Sequence, residues 1–320
     1  KIHVVGDTIV DSYTRTNLIG GNTKTPTPSV LFQEKNDYIG GAGIVAKHLK
    51  SAGANVTFTT ILGNDDLKDF VIDDLKKSNI QLNTIIDDTR PTTNKNTILS
   101  DIYKLLKVDK VDNQPISEKN LNKIKFFIRK IKCDAIIFSD FRHGIFNKTS
   151  VPELIKSIKK GVFKVADSQV ATRWGNITDF KNFDLITPNE KEARFSLADQ
   201  DSSISVLTRE LVKLTKFKNL ILKLGERGLV SVANKGLQSK AITLPSFASK
   251  VVDSTGTGDA LLAYSTLSLI VTKSIIKASI LGSVAAACAC ETDGNIEVKP
   301  EHIIEKLNSL QTESSYQIQK

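Results

Sequence analysis

The sequence is poor in several things, and each shortage removes a class of protein. Its 320 residues include no methionine and no apolar run of about 18 residues, the length that spans a bilayer. The amino-terminal stretch lacks a charged-then-apolar leader pattern, so a soluble, cytoplasmic chain with no membrane partner is expected. Cysteine is scarce: Cys133, Cys288 and Cys290 form no paired framework, which fits a reducing compartment. Cys288-x-Cys290 has a metal-like spacing, but it lies in the alanine-rich run Ala285-Ala286-Ala287. Small buried helix residues are the better account, because a metal needs more ligands. Aromatics are only 6% and the lysines are dispersed, so nucleic acid is not an expected partner. No period of roughly 20–50 residues recurs, which excludes a repeat architecture. No Walker A pattern occurs either, so a P-loop lysine holds no phosphate here.

What is present points to a globular α/β chain. Hydrophobic residues at 40% and charged residues at 25% are ordinary, and the length suits one large domain or two small ones. The net charge of +9 favours anionic ligands. Apolar runs at 1–5, 55–62, 135–138, 162–166 and 220–222 read as strands. Periodic segments at 44–52, 67–77, 121–130, 278–290 and 300–310 read as helices. This alternation predicts a mainly parallel sheet with helices on both faces. Segments 29–34, 97–99 and 103–109, the last two joined around Ser100-Asp101, read as strands outside the main sheet.

The most informative stretch is Val251-Val252-Asp253-Ser254-Thr255-Gly256-Thr257-Gly258-Asp259, followed by an apolar segment through Ile270. It reads as a loop feeding a helix N-terminus, with Gly256 and Gly258 letting the backbone turn and approach a ligand. Unpaired N–H groups and the positive end of the helix dipole suit phosphate there. Asp259 adds a carboxylate, wasteful for binding an anion but useful for taking a proton from an attacking hydroxyl. A plain cap with a first-turn acid is the competing account.

Other stretches add candidates. Gly6-Asp7, with Asp11 four residues on, puts acids at the carboxyl edge of a sheet, where open α/β folds bind ligands. In Leu185-Ile186-Thr187-Pro188-Asn189-Glu190-Lys191-Glu192, Thr187 and Glu190 fit a capping box with Pro188 at the first helical position. That leaves Asn189 and Glu192 on one face of the opening turn, free for another task. Gly40-Gly41-Ala42-Gly43 opens a helix, and Gly41-x-Gly43-x-x-Ala46 with Asp65 about twenty residues on matches a dinucleotide fingerprint. An NAD-dependent oxidoreductase is therefore the alternative enzyme, although the strand before that motif is weak.

Asp253-x-Thr255-Gly256-x-Gly258-Asp259 resembles the carboxyl-terminal signature of the ribokinase-like (PfkB) carbohydrate kinases, and the likeness runs in order along nearly the whole chain. It implies a three-layer α/β/α domain over 1–320. Lid segments near 12–37 and 90–112 would form a small β-sheet that covers the substrate and pairs two subunits into a homodimer. The implied reaction moves the γ-phosphoryl of ATP to a carbohydrate hydroxyl. Asp259 would take the proton, while the backbone of Gly256, Thr257, Gly258 and Asp259 stabilises the moving group. Asp7 and Asp11 would orient the sugar, with Gly40 and Gly41 close to it and Thr92, Thr93, Lys95 and Lys107 near its phosphate. Asp140 and Gly144 match the family's Asp-Tyr-x-Lys-Gly, with His143 at the lysine position. On the nucleotide side stand Asp253, Thr255 and the turn residues Gly225 and Gly228. Lys223 replaces a frequent threonine and is placed to reach a phosphate, and the helix at 278–290 would pack beside adenine.

Asn189-x-x-Glu192 is the arrangement the family uses to hold hydrated Mg²⁺ near the ATP phosphates, hard oxygens acting through water. A monovalent cation beside ATP and Mg²⁺ is left open. Ile44, His143 and Gln169 depart from the usual pattern, so a sugar- or nucleotide-binding protein without turnover is a third hypothesis. Within the family, Gly6-Asp7-x-x-x-Asp11-x-Tyr13, Thr25-Pro26-x-Pro28-Ser29-Val30 and Arg90-Pro91-Thr92-Thr93-x-Lys95 are most similar to the heptose 7-phosphate kinase domains of the ADP-heptose pathway. That likeness implies phosphorylation at the anomeric O1 of a heptose already carrying a phosphate.

Overall fold

The computed structural model describes residues 1–21, 27–170, 174–234, 236 and 240–318. Within them β1 (Ile2–Gly6) runs into the long strands β2 (Thr8–Gly21) and β3 (Pro28–Gly41), then α1 (Ala42–Ser51), β4 (Val56–Leu62), α2 (Asp66–Lys77) and β5 (Gln81–Ile86). The hairpin β6 (Asn94–Ser100) and β7 (Tyr103–Lys110) precedes α3 (Glu118–Lys130), β8 (Ala135–Asp140), α4 (Ser150–Ser157), β9 (Phe163–Ser168) and β10 (Leu185–Ile186). The remainder holds α5 (Glu190–Leu197), α6 (Ile204–Thr215), β11 (Asn219–Lys223), β12 (Leu229–Ala233), β13 (Lys240–Leu244), α7 (Thr257–Thr272), α8 (Ile275–Cys290) and α9 (Pro300–Ile318).

Strands β1, β4 and β8 are buried along their whole length, as near-continuous apolar strands must be when helices cover both faces. They form the centre of a sheet ordered β13-β12-β11-β10-β9-β8-β1-β4-β5 among the described residues. Pairing is parallel from β5 to β11 and antiparallel at β11–β12 and β12–β13. One face packs against α1, α2, α7 and α8 through Val45, Leu49, Leu75, Leu261 and Leu262. The other packs against α3, α4 and α6 through Ile124, Leu154, Leu207 and Leu211. Phe138, Phe146, Phe180 and Phe183 interlock there, with Phe138 and Phe146 ring centroids 5.4 Å apart. Helices α7 and α8 approach closely because Gly282 has no side chain: a Cβ there would lie 3.1 Å from the Leu261 carbonyl. This is the ribokinase-like α/β architecture that the resemblance implies.

A second sheet, ordered β3-β2-β6-β7, crosses the carboxyl edge of the first. β2 pairs antiparallel with β3 and parallel with β6, setting Asp11 beside Lys95 and Tyr13 beside Thr97. Large apolar side chains of these strands and the β6–β7 turn stand open to solvent, among them Leu31 at 53%, Phe32 at 61% and Leu106 at 58%. Residues 22–26, which include Thr25 and Pro26 of the heptose-like motif and part of the expected lid segment, lie outside the described residues. No helix among the described residues is long and apolar enough to cross a membrane.

The strand expected at 29–34 continues to Gly41, so Gly40 and Gly41 end a strand and α1 begins at Ala42. That strand pairs with β2, not with the parallel sheet. The glycines therefore do not form the turn after a parallel strand that a dinucleotide fingerprint requires. Cys288 and Cys290 sit in α8 as free thiols, half-buried and buried.

Because Phe138 is fully buried among three other rings, Phe138→Ala is expected to lower stability by about 3–5 kcal/mol. Guanidinium unfolding reads this as a drop in midpoint at unchanged slope; a loss under about 1 kcal/mol would contradict the packing described.

Candidate active site

The carboxyl ends of β8, β9 and β11 and the loop before α7 meet the second sheet around a cleft of about 490 Å³. Its lining gathers Asp11, Gly41, Lys95, Asn189, Glu192, Lys223, Gly225 and the run from Thr255 to Asp259. The run is shaped by Asp253, whose Oδ1 accepts from the Thr255 amide at 3.2 Å and hydroxyl at 2.9 Å. Its Oδ2 accepts from the Tyr13 hydroxyl at 2.5 Å, and Lys104 stands 3.6 Å away. Asp253 thus winds the loop from behind and does not line the cleft. Gly256 then caps α7 with a left-handed backbone, φ 75°, and no side chain satisfies the first amides. The N-terminus presents donors, as an anion site needs.

Asp259, in the first turn, is 5% exposed, and its Oδ1 has no hydrogen-bond partner among the described residues. Burial drives its pKa well above the usual carboxylate range, repulsion from Asp167 adds to this, and Lys223 opposes it. The Lys223 ammonium rests 3.1 Å from Asp167 Oδ1 and 3.4 Å from Oδ2, close against Gly258, where a Cβ would lie 3.2 Å from Nζ. Burial alone would lower the Lys223 pKa, but Asp167 and Glu192 outweigh it and raise it, so the charge stays. A fixed cation therefore lies against the mouth of α7. Gly225, φ 63°, lines the cleft in the β11–β12 turn. Gly228 instead packs where a Cβ would overlap the Leu244 carbonyl, closing that turn onto β13.

Asn189 and Glu192 require a correction. The capping box of α5 is built by this pair, not by Thr187 and Glu190. The Glu192 amide donates to Asn189 Oδ1 at 2.8 Å, while Glu192 accepts from the Asn189 amide and Nδ2, each at 2.7 Å. The helix starts late because Thr187 and Pro188 still follow the strand line: the Thr187 amide donates to the Ala166 carbonyl, and the Pro188 carbonyl accepts from Lys223. Burial pushes Glu192 up to about 7 despite the Lys223 charge. Each oxygen keeps a second lone pair, so the pair still fits a hydrated Mg²⁺ held through water.

On the second sheet's side, Asp11 faces the cleft, and Lys95 and Lys107 supply two cations. Asp7 does not face it: its carboxylate accepts amides of Phe141 at 3.0 Å, His143 at 3.2 Å and Ile145 at 3.5 Å, and so holds that loop. Asp140 is fully buried, paired with Arg142 at 2.8 Å and bonded by Ser168 at 2.7 Å. Thr92 pins a neighbouring loop by accepting from the Gly63 amide at 3.0 Å and donating its own amide to Asp65 at 2.9 Å. Gly40 lies behind Asp11, where a Cβ would overlap the carboxylate. His143 is pushed down to about 3 by burial, so it is a neutral ring rather than a phosphate-binding cation. Ile44 is fully buried. Among the lining residues not expected from sequence are Tyr13, Thr97, Gln169 and Asn295. Tyr13 was visible in the Asp11-x-Tyr13 spacing; Asn295 carried no signal, because its partner Asp11 is 284 positions away. A larger cavity of about 1320 Å³ opens past Asn189, Lys223 and Gly225 beside the Trp174–Phe195 pair, but none of the α7 residues line it.

A buried carboxylate, a half-buried lysine and a helix mouth with no side-chain cap in one cleft define a site for moving an anionic group. The same fold recurs in phosphofructokinase-2 from Escherichia coli solved with substrates and products, at TM-score 0.81, 17% identity, and 97% and 99% coverage of the two chains. It recurs also in a ribokinase from Thermotoga maritima, at TM-score 0.74, 21% identity, and 96% and 99% coverage. Residues 1–302 match the pfkB family carbohydrate kinases, and the chain belongs to that family. Its members are phosphotransferases with alcohol acceptors. The bifunctional protein HldE of Sulfurimonas denitrificans is 25% identical across 98% of this chain, and that of Helicobacter pylori strain P12 is 29% identical across 96%. The chain spans 66% and 67% of those two proteins and 54% of the Bradyrhizobium diazoefficiens relative.

Removing the cap by Asn189→Ala is expected to cost about 1 kcal/mol of stability, while Asn189→Ser retains most of it. Chemical denaturation of both variants checks this; an Asn189→Ala variant as stable as wild type would show that the cap contributes nothing.

Proposed function

We propose that this chain transfers the γ-phosphoryl group of ATP to a hydroxyl of a sugar phosphate, with heptose 7-phosphate as acceptor at O1. The observation that carries the reading is the buried Asp259 carboxylate, one oxygen unpaired, in the first turn of an uncapped helix. Donors at the α7 mouth and the Lys223 ammonium receive the phosphoryl oxygens as charge spreads over them. Asp259 takes the proton as the acceptor oxygen attacks phosphorus and ADP departs. Asp11 orients the acceptor, and Lys95 and Lys107 meet the phosphate it already carries. Asn189 and Glu192 hold Mg²⁺, which when bound neutralises phosphate charge. The Escherichia coli phosphofructokinase-2 has been solved in complex with potassium, which supports a monovalent cation as a further requirement here. The heptose assignment is supported by the 6–13 and 90–95 motifs and by the run of HldE relatives. The second sheet serves as the lid of a single cytoplasmic kinase domain. The apolar side chains it leaves open, Phe32 and Leu106 among them, belong to the surface through which two copies pair, since clustered exposed apolar groups mark partner sites.

Asp259→Asn is expected to lower turnover by about 10²–10⁴-fold while ATP binding by calorimetry is retained. Because its carboxyl is raised, the base is protonated and inactive below that pKa. The rate must therefore fall with falling pH at values above the ordinary ~3.9. An acid limb at or below ~3.9 would contradict the assignment. Absence of sugar-dependent ADP release across heptose, hexose and pentose phosphates would favour a binding protein without turnover. Phe32→Glu combined with Leu106→Glu is expected to halve the mass measured by light scattering; an unchanged mass would remove the lid from the interface.

A further inference from the structure

The turn between α8 and α9 reaches the cleft and delivers Asn295, which lines it and is 6% exposed. Its Nδ2 donates to Asp11 Oδ2 at 3.1 Å. Its amide oxygen lies so close to the cap of α7 that a Cβ on Gly256 would overlap it. A Cβ on Gly40 would overlap Asp11 Oδ2 and come within 3.2 Å of Asn295 Nδ2. One amide thus touches both the acid of the second sheet and the residue that opens the anion site. The turn itself is anchored: Arg15 pairs with Asp293 at 2.5 Å, and Gly294, φ 82°, packs on the Tyr38 ring. Tyr38 in turn meets Tyr13 edge-on, with ring centroids 5.6 Å apart.

We propose that Asn295 is a positioning residue for the acceptor, fixing the Asp11 carboxylate against Gly256 so that a hydroxyl bound by Asp11 is delivered to the mouth of α7. The proposal rests on the kinase reading and deepens it. With Oδ2 held by Asn295, Oδ1 is the oxygen presented to an acceptor hydroxyl. Burial raises the Asp11 carboxyl, and the Asn295 bond opposes this, as do Lys95 and Lys107; Asp253 raises it further. Asp259 and Glu192 are the further acids lining the same cleft.

Two measurements test it. With heptose 7-phosphate, Asn295→Ala raises the acceptor KM roughly tenfold or more, the loss of one hydrogen bond to a charged group, while the ATP KM stays within about twofold. Asn295→Ser, which keeps a small donor in the turn, restores part of the loss and stands in if the alanine variant does not fold. Independently of turnover, ¹³C NMR of the carboxyls, assigned with Asp11→Asn, shows Asp11 titrating at higher pH in Asn295→Ala. Equal rises in both KM values, or an Asp11 titration that does not move, overturn the proposal. If wild type turns over no sugar phosphate, the kinase reading fails, and the Asp11 titration alone decides the role of Asn295.

Discussion

A buried carboxylate with an unpaired oxygen is the constraint on which the rest of this molecule depends. Leaving such a group without a donor costs about 1–3 kcal/mol or more, and a neighbouring acid adds to the cost. Asp259 is held in that state by α7, whose sides are packed against the sheet and α8, so the helix cannot rotate the side chain into water. The core layers thereby fix one carboxylate at a helix mouth whose first amides no side chain caps. Both would be relieved together by an anionic group with a hydroxyl beside it.

The surrounding charges follow from the same requirement. Asp167, Glu192 and Asp259 surround Lys223, and the lysine keeps its proton because the acids outweigh its burial. The opposite wall is supplied by a second sheet joined to the first through few residues. Asp7 binds the loop after β8, and Tyr13 reaches Asp253 behind the α7 loop. Movement of that sheet would therefore be felt at the anion site through the Asp253 turn.

The parallel core was legible because its strands are continuous apolar runs and its helices carry clear periodicity. The α7 mouth was legible as a loop-to-helix junction from its two glycines and first-turn acid, a pattern that a plain cap also produces. What escaped reading was set by tertiary contact. β2 follows β1 after a single residue, so no turn residue separates the two sheets. Thr187 has the sequence of a helix cap but stays with the strand because β9 and β11 still pair with that segment, which moves the cap to Asn189. Asp7 and Asp140 sit where ligand acids are expected, yet both are occupied by the loop after β8. Asn295 is an ordinary residue after a helix until the chain closes upon Asp11.

The most direct test of the central claim is a crystal structure with ADP, aluminium fluoride and heptose 7-phosphate. The account predicts the fluoride within hydrogen-bond reach of the amides at 257–259, and Asp259 within roughly 2.6–3.2 Å of the acceptor oxygen. A fluoride bound along the neighbouring Trp174–Phe195 cavity, with Asp259 still unpaired and no acceptor near it, would contradict the account.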